Sequence, residues 1–136
     1  MNIQTVLFEQ IIGLLNGNFS DFPLSTEQDP EADTISAHML KVNALSEYLD
    51  GGGVYSLPIQ LLGKSTDTIV MADELLSICK FLQNMTSYPN IGDDGSIIKC
   101  YLKDTPAFAD KETYGEGVQS AVVEILYYTK GDSQND

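Results

Sequence analysis

The sequence predicts a single α+β domain, a mainly antiparallel β-sheet of about four strands with two helices packed on it. Two segments carry apolar residues at spacings of three and four, several others alternate with a period of two, and the chain closes on a long stretch that is apolar on both faces. A chain of 136 residues buries roughly two-thirds of the surface exposed by its unfolded form, so one core suffices. The domain is expected to span residues 1–130, with an acidic loop at about 18–33 and a disordered tail at 131–136.

Ile3, Val6, Leu7, Ile11, Leu14 and Leu15 form one apolar stripe of a helix of about four turns, with Gly17 as its stop. FSDFPLSTEQDPEAD is acidic, broken by proline and without period, so it reads as an extended or mobile loop, with Phe19 and Phe22 pinning its start. Residues 34–49 fit neither period well. A strand is expected from Val42 to Leu49, because DGGG then makes a flexible hairpin link into Val54.

From Val54 to Lys64, Tyr55, Leu57, Ile59 and Leu61 alternate with Ser56, Pro58, Gln60 and Leu62, a half-buried strand. Pro58 has no amide hydrogen to donate to a ladder, which suggests an edge. Ser65 or Thr66 is then expected to cap a helix with Asp67 in its first turn. Its buried stripe is Met71, Leu75, Ile78, Leu82 and Met85, widened by Ala72 and Cys79, and Pro89 ends it before Tyr88. After the turn-rich GDDGS, Ile98, Cys100 and Leu102 alternate with Lys99 and Lys103. In the last strand, Val118–Lys130, Val123, Ile125 and Tyr127 face one way and Val122, Leu126 and Tyr128 the other. Such a strand is either central under a helix or meets another subunit on its second face.

Catalytic chemistry is thinly represented. His38 is the only histidine, which excludes two-histidine metal sites and leaves any Ser-His-Asp proposal resting on one residue. Gly51, Gly52 and Gly53, followed much later by Lys64 and Ser65, have the wrong spacing for a phosphate loop. Asp93, Asp94 and Ser96 around Gly95 lack the spaced oxygens and distal glutamate of a calcium loop. Asp73 and Glu74 are adjacent on a helix, where their side chains diverge. Cys79 and Cys100 read as small buried hydrophobes rather than as a disulfide. No cofactor or metal is implied; the first seventeen residues carry no Lys or Arg ahead of their apolar positions, so no secretory signal is expected from them, and no apolar run approaches membrane length.

The formal charge is −13, from twenty acidic and seven basic residues, and all seven bases are lysines spread along the chain. Such a chain repels phosphate backbones and anionic membranes, and it lacks the arginine fork that grips phosphate and guanine.

The order of a hairpin at Tyr48-Leu49-Asp50-Gly51, a strand ending in Lys64-Ser65, an acidic helix start, a Gly95-Ser96-Ile97 strand, a loop with Pro106 and a final long Tyr-rich strand resembles the minor capsid or tail terminator proteins of long-tailed, non-contractile bacteriophages. The resemblance covers roughly residues 42–130. The chain departs from that pattern at SLPIQLL, where an aromatic-rich run is usual, and at KETYGEGVQSA, which is more polar than usual.

The resemblance implies a tail-terminator-like fold and a structural virion protein made in the host cytoplasm. Such a protein assembles with itself into a ring, a hexamer, that caps the tail tube and joins it to the head connector. Its partners would be other copies, the tail tube protein and the head completion protein, with DNA passing through the lumen as unbound cargo and no membrane. Acidic walls would keep that DNA from sticking, over a screening length of about 8 Å. Candidate contacts are Pro106, Phe108 and Tyr114 on a loop from Asp104 to Glu116, and Val122, Leu126 and Tyr128 on the outer face of the last strand. A competing reading of the charge is an acidic inhibitor that imitates DNA and blocks a nucleic-acid enzyme.

Overall fold

The computed structural model describes residues 2–26, 33–49 and 51–130. Helix α1 spans Ile3–Asn18, followed by strands β1 (Leu24–Ser25), β2 (Thr34–Met39), β3 (Asn43–Glu47) and β4 (Gly53–Lys64). Helix α2 spans Thr68–Gln83, and the chain ends with β5 (Gly95–Phe108), the one-turn helix α3 (Lys111–Tyr114) and β6 (Val118–Thr129). Among the described residues six strands form one sheet in the order β1-β2-β4-β6-β5, with β3 also paired to β4.

The class is therefore α+β, with more strands than the expected four and a third, very short helix. The sheet is mixed because β1 pairs parallel to β2, whereas the other pairs are antiparallel. The extra strands come from stretches with weak periodicity. β1 is only two residues long, and a register shift between Ala44 and Ser46 breaks the alternation of β3. The expected single strand at Val42–Leu49 is thus the shorter β3, with β2 before it. Asp50, residues 27–32 of the acidic loop and the tail at 131–136 lie outside the described residues.

β4 is central, flanked by β6 on one side and by β2 and then β3 on the other, so the edge inferred from Pro58 is corrected. The Pro58 carbonyl accepts from the Leu40 N–H at 2.9 Å. Backbone N and C=O of one residue point to the same side of an antiparallel strand, so the missing donor also faces that side. It falls where β2 leaves the flank of β4, beyond Met39, and before β3 joins it at Ser56. The proline sits at a gap in the ladder, not at the rim of the sheet. The hairpin between β3 and β4 closes through Tyr48 N–H to Gly52 O at 2.7 Å and Gly51 N–H to Tyr48 O at 3.0 Å. Gly51 has φ 91°, and a Cβ on Gly53 would run into the Ser46 carbonyl; both positions therefore favour glycine.

α1 begins at Asn2, whose side chain accepts from the Thr5 N–H, and runs through Gly17 to Asn18; the Asn18 side chain caps the Leu14 carbonyl at 2.8 Å. The expected stop at Gly17 is thus overridden by the side chain that follows it. Asp67, rather than Ser65 or Thr66, caps α2 by accepting from the Val70 N–H at 3.2 Å. Ser65 supports that cap: its hydroxyl accepts from the Asp67 N–H and donates to Asp33. Met85 lies past the helix end and packs against the core.

Leu7, Phe8, Ile11 and Leu15 of α1 share one core with Met71, Leu75, Ile78, Cys79 and Leu82 of α2 and with Ile35, Leu57, Ile59, Leu61, Cys100, Val123, Ile125 and Tyr127 of the sheet. Both long helices therefore lie on one face, called inner below. Phe22 is buried in this core, and Phe19 meets Phe81 edge-on with ring centres 5.4 Å apart, so the two aromatics do anchor the start of the loop. A bulge between Ile97 and Lys99 resets β5. Ile97, Cys100 and Leu102 consequently face inward, while Ile98, expected beside Cys100, is exposed.

Candidate assembly surfaces

Cross-strand partners share a face, so the register defines the outer side of the sheet. Val54, Ser56, Pro58, Gln60 and Leu62 of β4 stand opposite Tyr128, Leu126, Glu124, Val122 and Ser120 of β6. β2 extends this face with Ser36 and His38, which pair with Leu62 and Gln60. β5 adds Ser96 and Tyr101, opposite Tyr128 and Glu124. The face mixes apolar and polar groups. Gln60 donates to the Ser120 hydroxyl at 3.1 Å, Ser36 Oγ and His38 Nε2 are 2.7 Å apart, and the Tyr48 and Tyr128 rings lie 6.5 Å apart between centres. Ser56 Oγ is buried with no hydrogen-bond partner.

Of the outer-face candidates, Val122 is 7% exposed, whereas Leu126 and Tyr128 are half-buried. These three project from one side of β6, as the alternation requires. The other three gather elsewhere. Asp104–Phe108 belongs to β5, so the expected long loop shortens to the α3 connection. Pro106 is half-buried and, with Thr105, borders an apolar groove of about 470 Å³ against Ile69, Val70, Ala72, Asp73 and Leu76 of α2. Phe108, 67% exposed, lines a second cleft of about 380 Å³ with Lys111, Glu116 and Val118. Tyr114 ends α3, half-buried. Lys111 and Glu116 form an exposed ion pair at 2.9 Å, an arrangement that contributes little to stability.

Sequence reading passed over two apolar patches. Ile69 and Val70, 81% and 47% exposed, stand off the stripe of Met71 and Leu75, a signal the helical period already contains. Leu45, Tyr48 and Leu49 are exposed on β3 and its hairpin, where the bulge hid the alternation.

The reactive groups are held quietly. Burial pushes the Cys79 thiol up to about 11 and the Cys100 thiol to about 12, so both stay protonated and poorly nucleophilic at neutral pH. Burial likewise pushes the Tyr127 hydroxyl to about 12. Ser36, the hydroxyl beside His38 on the same strand, is wholly buried. Glu74 is raised by burial first and then by the nearby Asp21 and Asp73 charges. In the GDDGS turn, the Asp94 carbonyl accepts from the Lys130 N–H at 2.7 Å, and both Asp93 and Asp94 are exposed. Among the described residues no group of three or more His, Cys, Asp or Glu side chains is placed to hold a metal, and no helix is long and apolar enough to cross a membrane.

No protein-family model matches this chain, and no curated protein matches it.

Proposed function

We propose that the chain is a structural virion protein, a tail terminator whose copies close into a hexameric ring between the tail tube and the head connector. It has no catalytic role of its own. The observation that carries this reading is the outer face of β6: a central strand whose inner side lies under both helices still presents Leu126 and Tyr128, half-buried, on a side to which neither α1 nor α2 contributes a core residue. A ring needs a heterologous joint, two unlike patches repeated around an axis. The outer face and the apolar groove between α2 and β5 are two such unlike patches on one chain. The resemblance over residues 42–130 supplies the choice of ring, and the −13 charge suits a lumen that must let DNA pass without binding it.

The same charge supports an acidic inhibitor that imitates DNA, and solution mass separates the two readings. Sedimentation and electron microscopy of the purified chain should show rings or a concentration-dependent oligomer. A strict monomer that displaces DNA from a nucleic-acid enzyme would reject the terminator in favour of the inhibitor.

A further inference from the structure

We propose that Gln83 and Tyr88 guard the free edge of β5, blocking a second copy of this chain from adding a strand there.

Among the described residues β5 is the outermost strand on its side of the sheet, 14 residues long, and Ile98, Tyr101 and Phe108 are exposed along it. A long outer strand with exposed apolar groups is a template for pairing with another chain. Lysines often discourage such pairing, but Lys99 is drawn off the edge, its ammonium donating to the Gln83 carbonyl at 2.8 Å. Beyond Leu102 the edge is blunted by the exposed Lys103 and Asp104, by Pro106 and by register shifts; at Cys100 and Leu102 the cover comes from two side chains. The Cys100 N–H donates to the Tyr88 hydroxyl at 3.2 Å, and the Leu102 N–H donates to Gln83 Oε1 at 2.9 Å. These are successive outward-pointing amides of the strand, since alternate residues address the same side of a ladder. An incoming strand would need both.

The guard is fastened at its base. The Tyr88 hydroxyl donates to the Leu82 carbonyl at 3.0 Å while accepting from Cys100, so one group ties the end of α2 to the middle of β5. A phenylalanine could do neither. Gln83 is the last residue of α2 and Tyr88 follows within one short connection, so both are positioned by the helix that packs on β5. The opposite flank ends in short strands instead: β1 is two residues long, and β3 is five residues long and bulged after Ala44, features that discourage edge pairing. This inference stands apart from the ring, which would join copies through other surfaces.

The test uses the full chain in three further forms: a Gln83→Leu, Tyr88→Phe double variant, Tyr88→Phe alone, and Gln83→Glu, which keeps an acceptor oxygen. Amide hydrogen exchange at Cys100 and Leu102 is read together with solution mass and amyloid-dye binding. The double variant should exchange both amides roughly tenfold faster, as expected when a hydrogen bond is lost. It should also form sheet-rich aggregates that the parent and Gln83→Glu do not. If the double variant fails to fold, Tyr88→Phe gives the same reading at Cys100 alone. Faster exchange with mass and dye binding unchanged would overturn the proposal, because the edge would then be open and unused. Unchanged exchange would overturn it too, because the two side chains would not be covering the edge.

Discussion

The two faces of β6 are built from alternate residues of one strand, yet they do different work. Ala121, Val123, Ile125 and Tyr127 are almost fully buried beneath α1 and α2, whereas Ser120, Val122, Glu124, Leu126 and Tyr128 form a mixed face on which Val122 is buried and the other four are half-buried. The inner face belongs to the core of the fold; the outer face is the one proposed above to meet other copies. Polar neighbours mark the difference. Gln60, Ser120, Glu124 and His38 lie among the outer apolar groups, and none belongs to the inner core.

The largest effect should come from the inner face. Ile125→Ala removes a wholly buried side chain and should cost about 2–5 kcal/mol, measured as a lowered urea midpoint. A loss below about 1 kcal/mol would mean the inner face is not the core of the fold.

One residue along, Leu126→Asp should leave a folded chain, with a stability cost near the ordinary mutational centre of about 1 kcal/mol, and abolish self-association in sedimentation. An unfolded product would assign Leu126 to the core. A folded product that still forms rings would move the joint off this face.

Away from the sheet, Asp67→Ala removes the cap on Val70 and should cost about 1 kcal/mol without altering assembly. A change in oligomer size would link the start of α2, and the exposed Ile69 and Val70 beside it, to the interface.

The smallest effect concerns Glu74. Its folded pKa is raised, so the folded chain holds this proton more tightly than the unfolded chain does. Stability therefore falls as pH rises through the carboxylate range. Glu74→Gln should stabilise the fold slightly at pH 7, by a few tenths of a kcal/mol after allowance for solvent screening, read as a higher melting temperature, and the gain should vanish below about pH 4. A lower melting temperature at pH 7 would show that the carboxylate has a favourable partner.

Several elements are legible in the sequence because their signals are local. The stripe of Met71, Leu75, Ile78 and Leu82 and the two-sided apolar run of β6 depend only on the periods of helix and strand. The alternation of Tyr55, Leu57, Ile59 and Leu61 identified the inward face of β4 for the same reason. Misreadings arose where a neighbour supplied the deciding interaction. Pro58 suggested an edge because its missing donor is a local fact, while the gap between β2 and β3 that accommodates it depends on residues some twenty positions away. Alternation sets Ile98 on the face of Cys100 and Leu102, and it lies exposed instead because the bulge shifts the phase without a sequence marker. Alternation alone puts Val122, Leu126 and Tyr128 on one face, whereas Pro106 and Phe108 read locally as loop and are strand only because β5 continues past the proline by pairing with β6.

The amino-acid sequence by itself determined the class of the fold, the two helical stripes, the acidity and the alternation of β6, all properties of residue type and spacing. Tertiary structure alone decided that both helices cover the same face, that β4 is central, and that Gln83 and Tyr88 occupy the edge of β5. Those outcomes depend on which distant backbone groups find each other, and hydrogen-bond pairing across the sheet is satisfied only when the whole chain is assembled.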